Sequence, residues 1–111
     1  MRMYEYQSSV HRTMNEEASD FESLTNYSMG LAGETGEVLE HLKKGLFHGH
    51  DIRTDEMEKE LGDVLWYLTA LATELNLSLE DIAERNVRKL QARYPDGFDA
   101  ELSQKRETDK E

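Results

Sequence analysis

Two short acidic motifs, Glu34-x-x-Glu37 and Glu60-x-x-Asp63, are the residues of this chain best suited to chemistry. The residues around each pair are mostly apolar or small, and no lysine or arginine separates its members. A carboxylate beside an apolar stripe loses hydration, which a cation must offset. Four of them suit hard divalent ions, and oxygen-only donors favour Mg²⁺ or Mn²⁺ over zinc or copper. Other metal and phosphate motifs are missing. None of His11, His41, His48 and His50 follows an acid by three positions, so the Glu-x-x-His pattern of di-iron bundles is absent. There is no Walker-type loop or HExxH, and the segment from Asp51 lacks the ligand pattern of an EF-hand.

Spacing alone carries little weight. With 24 acidic residues among 111, about five pairs at i, i+3 arise by chance. Asp55/Glu58, Asp81/Glu84 and Asp96/Asp99 are further examples. Most of these acids simply solvate helix surfaces. What sets the two motifs apart is their place beside apolar stripes.

Those stripes define the elements that must hold the acids. Met3, Tyr6, Val10 and Met14 mark a first helix over Met3–Met14, and the polar stretch from Asn15 to Ser23 reads as a loop. Leu24, Tyr27, Leu31, Val38 and Leu42 mark a second helix over Leu24–Lys44, which Gly45 stops. Met57, Leu61, Val64, Leu65, Leu68, Leu71 and Leu75 mark a third over Asp55–Leu75, ended by Asn76. Ser78-x-x-Asp81 resembles a capping box and opens a fourth helix that finishes before Pro95. The charged tail, 99–111, reads as frayed or disordered.

At 100° per residue, Glu34 lies roughly 60° and Glu37 roughly 120° from the apolar centre of the second helix. Glu60 lies roughly 75° and Asp63 roughly 135° to the same-handed side of the third. A short connection folds the two helices antiparallel, so shoulders of equal hand face one side. All four carboxylates then line one groove.

Other residues are more ambiguous. Gly30, Gly33 and Gly36 each cost a helix up to about 1 kcal/mol. Close approach of a helix or ligand accounts for them, as does a kink or a misplaced helix start. Asn86, Lys89 and Arg93 share a face of the fourth helix. The two cations can hold phosphate oxygens and Asn86 a metal-bound water or sugar hydroxyl. Taken alone, ordinary surface ion pairing with the many nearby acids is the better account of these cations. Tyr67 can hydrogen-bond a phosphate. Trp66 can stack on a base, although packing is its commoner use. His41 lies on the same side of its helix as the acids, and the histidines are otherwise uninformative.

Composition bounds the rest. The length fits one domain, and helix formers with a single proline favour the all-α class. An apolar fraction of 37% is low for a self-sufficient globule, which points to a core completed by homo-oligomerisation. Without cysteine there is no disulfide or thiolate site. A net charge of −11 excludes duplex nucleic acid bound through a basic face, though not a phosphate substrate carried by metal ions. No apolar run spans a membrane and the N-terminus lacks a signal-peptide core, so a cytoplasmic location is expected.

Gly33-Glu34-Thr35-Gly36-Glu37-Val38, then after a spacer Glu60-Leu61-Gly62-Asp63-Val64, resembles the ExxE and ExxD signature of the MazG-like nucleoside triphosphate pyrophosphohydrolases. Lys89 to Phe98 resembles the K-x-x-x-R-[YH]-P-x-x-F ending of the same family. The resemblance implies a four-to-five-helix all-α bundle of the NTP pyrophosphatase type over residues 1–98, completed as a homodimer or homotetramer. It also implies Mg²⁺-dependent hydrolysis of a nucleoside triphosphate to the monophosphate and pyrophosphate, a housecleaning role. Glu34, Glu37, Glu60 and Asp63 then hold the metals, with Mn²⁺ as a substitute. Glu37 is a candidate base. Lys89 and Arg93 steady phosphates, with Tyr67, Asn86 and Trp66 as further substrate contacts. Phosphoribosyl-ATP is an alternative substrate, and a non-enzymatic acidic interaction module is an alternative of another class.

Overall fold

The computed structural model describes residues 1–109. Within them the chain is all-α, with no strand: α1 (Met3–His11), α2 (Asp20–Phe47), α3 (Thr54–Glu74), α4 (Leu79–Arg93) and α5 (Ala100–Asp109). They fall into two compact units, Met1–Leu79 and Glu80–Glu111.

The first unit rests on α2 and α3, which form its most extensive helix pair, with α1 packed against α3. The core cluster is Val10, Tyr27 and Ala70, flanked by Tyr6, Met14, Trp66, Tyr67 and Leu71. The Trp66 ring meets Tyr27 and Tyr67 edge-on, at centroid separations of 5.8 and 5.1 Å. This is the favoured geometry for aromatic quadrupoles. Its indole N–H donates to Thr13 Oγ1 at 2.8 Å, so the ring is anchored as well as packed.

Several boundaries differ from the sequence reading, each for a local reason. Helix α1 ends at His11, because the Thr13 hydroxyl donates to the Val10 carbonyl at 3.0 Å and turns the chain. Helix α2 begins at Asp20, not Leu24. Ser19 caps it, accepting from the Glu22 N–H at 3.2 Å while Glu22 Oε1 takes the Ser19 hydroxyl at 2.9 Å. Gly45 lies inside α2, and the stop is Gly49, at φ +74. A Cβ on Gly45 would overlap Ile52, so this glycine serves close packing. Helix α3 ends as expected at Asn76, whose left-handed φ of 58 permits a Schellman closure. There the N–H of Leu77 reaches the Ala72 carbonyl at 2.8 Å and that of Asn76 the Thr73 carbonyl at 3.0 Å. Gln7 pins this turn to α1. Its amide donates to Thr73 Oγ1 and the Leu77 carbonyl, both at 2.9 Å, and its oxygen accepts from the Leu79 N–H at 2.8 Å.

The apolar stripe expected on α3 is only partly inward. Leu61, Leu65, Leu68 and Leu75 are 38–53% exposed, whereas Thr69, Ala70 and Ala72 are buried. Small side chains allow the neighbouring helices to approach, and the buried Thr69 hydroxyl is satisfied by the Leu65 carbonyl at 2.7 Å.

In the second unit, Tyr94 and Phe98 stack at a 5.6 Å centroid separation around a turn containing Gly97 at φ +94. The tail read as irregular over 99–111 instead carries α5 as far as Asp109; residues 110 and 111 lie outside the described residues. Asp99 Oδ1 accepts from the Glu101 N–H at 2.9 Å, a capping signal at the helix start.

The glycines of α2 separate cleanly. The Tyr67 ring occupies the space a Cβ on Gly30 would need, while nothing lies within 4 Å of one on Gly33 or Gly36. Gly30→Ala is therefore expected to lose about 1–3 kcal/mol by overpacking. Gly33→Ala is expected to be neutral or gain up to about 1 kcal/mol; urea unfolding of both variants decides. The Ser19 cap yields a second expectation. Hydrogen bonds from the Ser19 side chain and backbone hold the Glu22 carboxyl below its ordinary 4.5. A depressed carboxyl stabilises the fold above its unfolded pKa, and that contribution fades as pH falls through the lower folded value. The stability gap between wild type and Ser19→Ala should therefore narrow as pH drops below the ordinary carboxylate value, as followed by thermal melts across acid pH.

Candidate metal site

Contacts along α2 and α3 fix how the acids face one another. Gly30 meets Tyr67 near one end and Gly45 meets Ile52 just beyond the other, so α2 and α3 run antiparallel. Between those contacts, Glu34 and Asp63 line one cavity of about 370 Å³ with Trp66 and Tyr67. Glu37 and Glu60 line a second of about 270 Å³ with Glu40, His41, Lys44, His50, Asp51 and Arg53. The residue numbers in all four pairs add to the same total, which makes them rungs of one ladder. Glu34 and Glu60 are half-buried and Glu37 and Asp63 exposed, matching the wheel positions.

The acids thus form two successive pairs rather than one tight knot. Among the described residues no three histidine or acidic side chains stand close enough to hold a metal ion as they are. One atom nevertheless suits a cation. Glu60 Oε2 is buried with no hydrogen-bond partner, and a buried carboxylate oxygen without a donor is costly. A divalent ion would satisfy it, and the carboxylate oxygens of Glu34, Glu37 and Asp63 are the donor chemistry that Mg²⁺ takes.

Two neighbours of the acids were not singled out as site residues from sequence. Tyr6 of α1 stands near Asp63: burial, and then the Asp63 charge, raise its phenol above the ordinary 10.0. Nothing in the sequence signals that proximity, because it depends on how α1 docks. His41 Nδ1 lies 3.5 Å from Glu60 Oε1. It falls one helical turn after Glu37 and two after Glu34, so its face was readable. The cations beside the second cavity have acidic partners of their own: Lys44 Nζ is 3.9 Å from Glu40 and Arg53 Nη2 is 3.4 Å from Asp55.

Tyr67 lines the Glu34–Asp63 cavity, as does Trp66, which combines that position with its packing role. Asn86 and Lys89 are exposed on α4, and Arg93, its last residue, is half-buried, with its guanidinium 5.9 Å from the Tyr94 ring centroid. These three belong to the second unit. Among the described residues no helix is long and apolar enough to cross a membrane.

The profile of the MazG nucleotide pyrophosphohydrolase domain matches residues 22–98, a span holding both acidic pairs and the Lys89–Phe98 motif. The chain is also 38% identical over 85 residues to the Gene 37 protein of Mycobacterium phage L5, covering 73% of this chain and 75% of the phage protein. No solved structure matches.

If Asp63 raises the Tyr6 phenol by its charge, Asp63→Asn should lower that pKa while leaving it above the ordinary value, since burial is the larger cause. Tyrosine-resolved NMR titration reads the shift, and an unchanged Tyr6 would place Asp63 away from α1.

Proposed function

Since the chain belongs to the MazG nucleotide pyrophosphohydrolase family, we propose that it hydrolyses a nucleoside triphosphate, either a dNTP or a non-canonical nucleotide, to the monophosphate and pyrophosphate. Mg²⁺ is the working ion, Mn²⁺ a substitute, and the role is removal of unwanted nucleotides in the cytoplasm. The observation that carries this reading is the ladder placing Glu34 with Asp63 and Glu37 with Glu60 on neighbouring rungs.

Bound by these acids, the ion supplies charge neutralisation on the phosphates and a more acidic attacking water. Water oxygen bonds to the α-phosphorus as the bond from that phosphorus to the α–β bridging oxygen breaks, and pyrophosphate leaves. Glu37, exposed on its rung, accepts the water's proton. Lys89 and Arg93 hold phosphate oxygens, and Arg93 suits them through its planar fork. Asn86 binds a sugar hydroxyl or an ordered water. The Tyr67 hydroxyl donates to a phosphate, and Trp66 borders the nucleotide while keeping its packing contacts.

Homo-oligomerisation completes the picture. The row Leu61, Leu65, Leu68 and Leu75 is exposed on one chain, and such an apolar row is commonly covered by a partner. We assign that partner as a second copy, in a homodimer or homotetramer.

The test is a phosphate-coupled assay of canonical and modified dNTPs with Mg²⁺ and Mn²⁺. Metal-dependent pyrophosphate release is expected. Glu60→Gln should lower the rate by more than the roughly 10- to 100-fold that loss of an outer-shell partner costs. Full activity in that variant removes Glu60 from the ligand set. A chain that releases pyrophosphate from phosphoribosyl-ATP alone has that substrate instead.

A further inference from the structure

We propose that His41 is a positioning residue for Glu60, clamping one carboxylate oxygen and the start of α3 so that the other oxygen is presented to the ion. This rests on the reading of Glu60 as a metal ligand.

The ring's hydrogen bonding fixes its orientation. Nε2 accepts from the backbone N–H of Arg53 at 3.4 Å. An amide N–H can only donate, so Nε2 must present its lone pair. The imidazole proton then sits on Nδ1, which faces Glu60 Oε1 at 3.5 Å. Nε2 is thus held by a hydrogen bond, while Nδ1 stands in a 3.5 Å contact with the carboxylate. Its side chain is only 19% exposed, and that of Glu60 23%, so water competes little for this contact.

What the ring joins is informative. Arg53 is the N-cap of α3, and its own side chain makes no cap hydrogen bond. Glu60 stands two helical turns further along the same helix. A single side chain of α2 therefore holds both the entry of α3 and the carboxylate on its ladder rung. Oε1 lies beside the ring, and the oxygen left buried and unpartnered is Oε2. The nearby cations do not fill that place, because Lys44 pairs with Glu40 and Arg53 with Asp55. Ligating carboxylates are themselves oriented by hydrogen-bond donors, and losing such a donor weakens metal binding by about 10- to 100-fold.

The decisive experiment titrates Mn²⁺ into the full chain by calorimetry for wild type, His41→Asn, His41→Gln, His41→Ala and Glu60→Gln, without nucleotide. An asparagine amide reaches the place of Nδ1, and a glutamine amide that of Nε2. Affinity close to wild type is expected for His41→Asn, with a loss of about 10- to 100-fold for His41→Gln and His41→Ala. Nitrogen NMR of the unmutated protein should find the ring proton on Nδ1, a readout that needs no variant to fold. Wild-type affinity in His41→Gln or His41→Ala, a loss in His41→Asn equal to that in His41→Ala, or a proton on Nε2 overturns the proposal. If Glu60→Gln weakens Mn²⁺ binding while His41→Ala does not, the His41 role alone is lost. If wild type takes up no Mn²⁺, or Glu60→Gln binds it normally, the ligand reading of Glu60 falls and takes this role with it.

Discussion

The antiparallel register of α2 against α3 is the constraint on which the site depends. Two close contacts hold it: Tyr67 lies over Gly30, and Ile52 over Gly45. Neither glycine has room for a methyl group, so the helices cannot slide without losing both fits at once. Glu34, Glu37, Glu60 and Asp63 lie between those contacts, and their pairing follows from them. A shift of one turn, about 5.4 Å along the axis, would separate each acid from its opposite number. The packing of two glycines thus sets the spacing of four carboxylates.

That register is in turn supported by contacts that tie α1 and the turn after it to α3. Trp66 interlocks with Tyr27 and Tyr67 and donates to Thr13, joining the turn after α1 to both long helices. Gln7 does the same for the end of α3 through its three hydrogen bonds. The core is small, and its buried members on α3 are Thr69, Ala70 and Ala72 rather than leucines. Close helix approach, edge-on aromatics and satisfied polar groups compensate for a modest amount of buried apolar surface. The site side of the pair accepts a local cost in return, the buried, unpartnered Oε2 of Glu60. An oxygen left in that condition is one that a cation would satisfy.

Much of the fold was legible because its signals are local. The all-α class, the existence of four of the five helices, the Asn76 stop and the shoulder positions of the acids follow from periodicity and propensity, which neighbouring residues set by themselves. The errors arose where a local signal has two uses. Gly45 reads as a helix stop but serves packing against Ile52, and Gly49 takes the left-handed turn. Ser19-x-x-Glu22 is a capping box that apolar periodicity overlooks. Asp99 caps a helix in a stretch whose low apolar content suggested none. The leucines of α3 read as one core stripe, yet the single chain buries the neighbouring alanines and threonine.

By itself, the sequence determined which residues could form helices, which acids would flank the apolar faces, and the family to which these motifs belong. Those properties depend on side-chain chemistry and on spacing within a few turns. Only the tertiary structure decided which acid faces which, that His41 links Arg53 to Glu60, and that Tyr6 comes near Asp63. Each of these joins residues on different helices. Their meeting is set by shape fit at Gly30 and Gly45 and by the docking of α1, and neither is encoded in the repeat of any one helix.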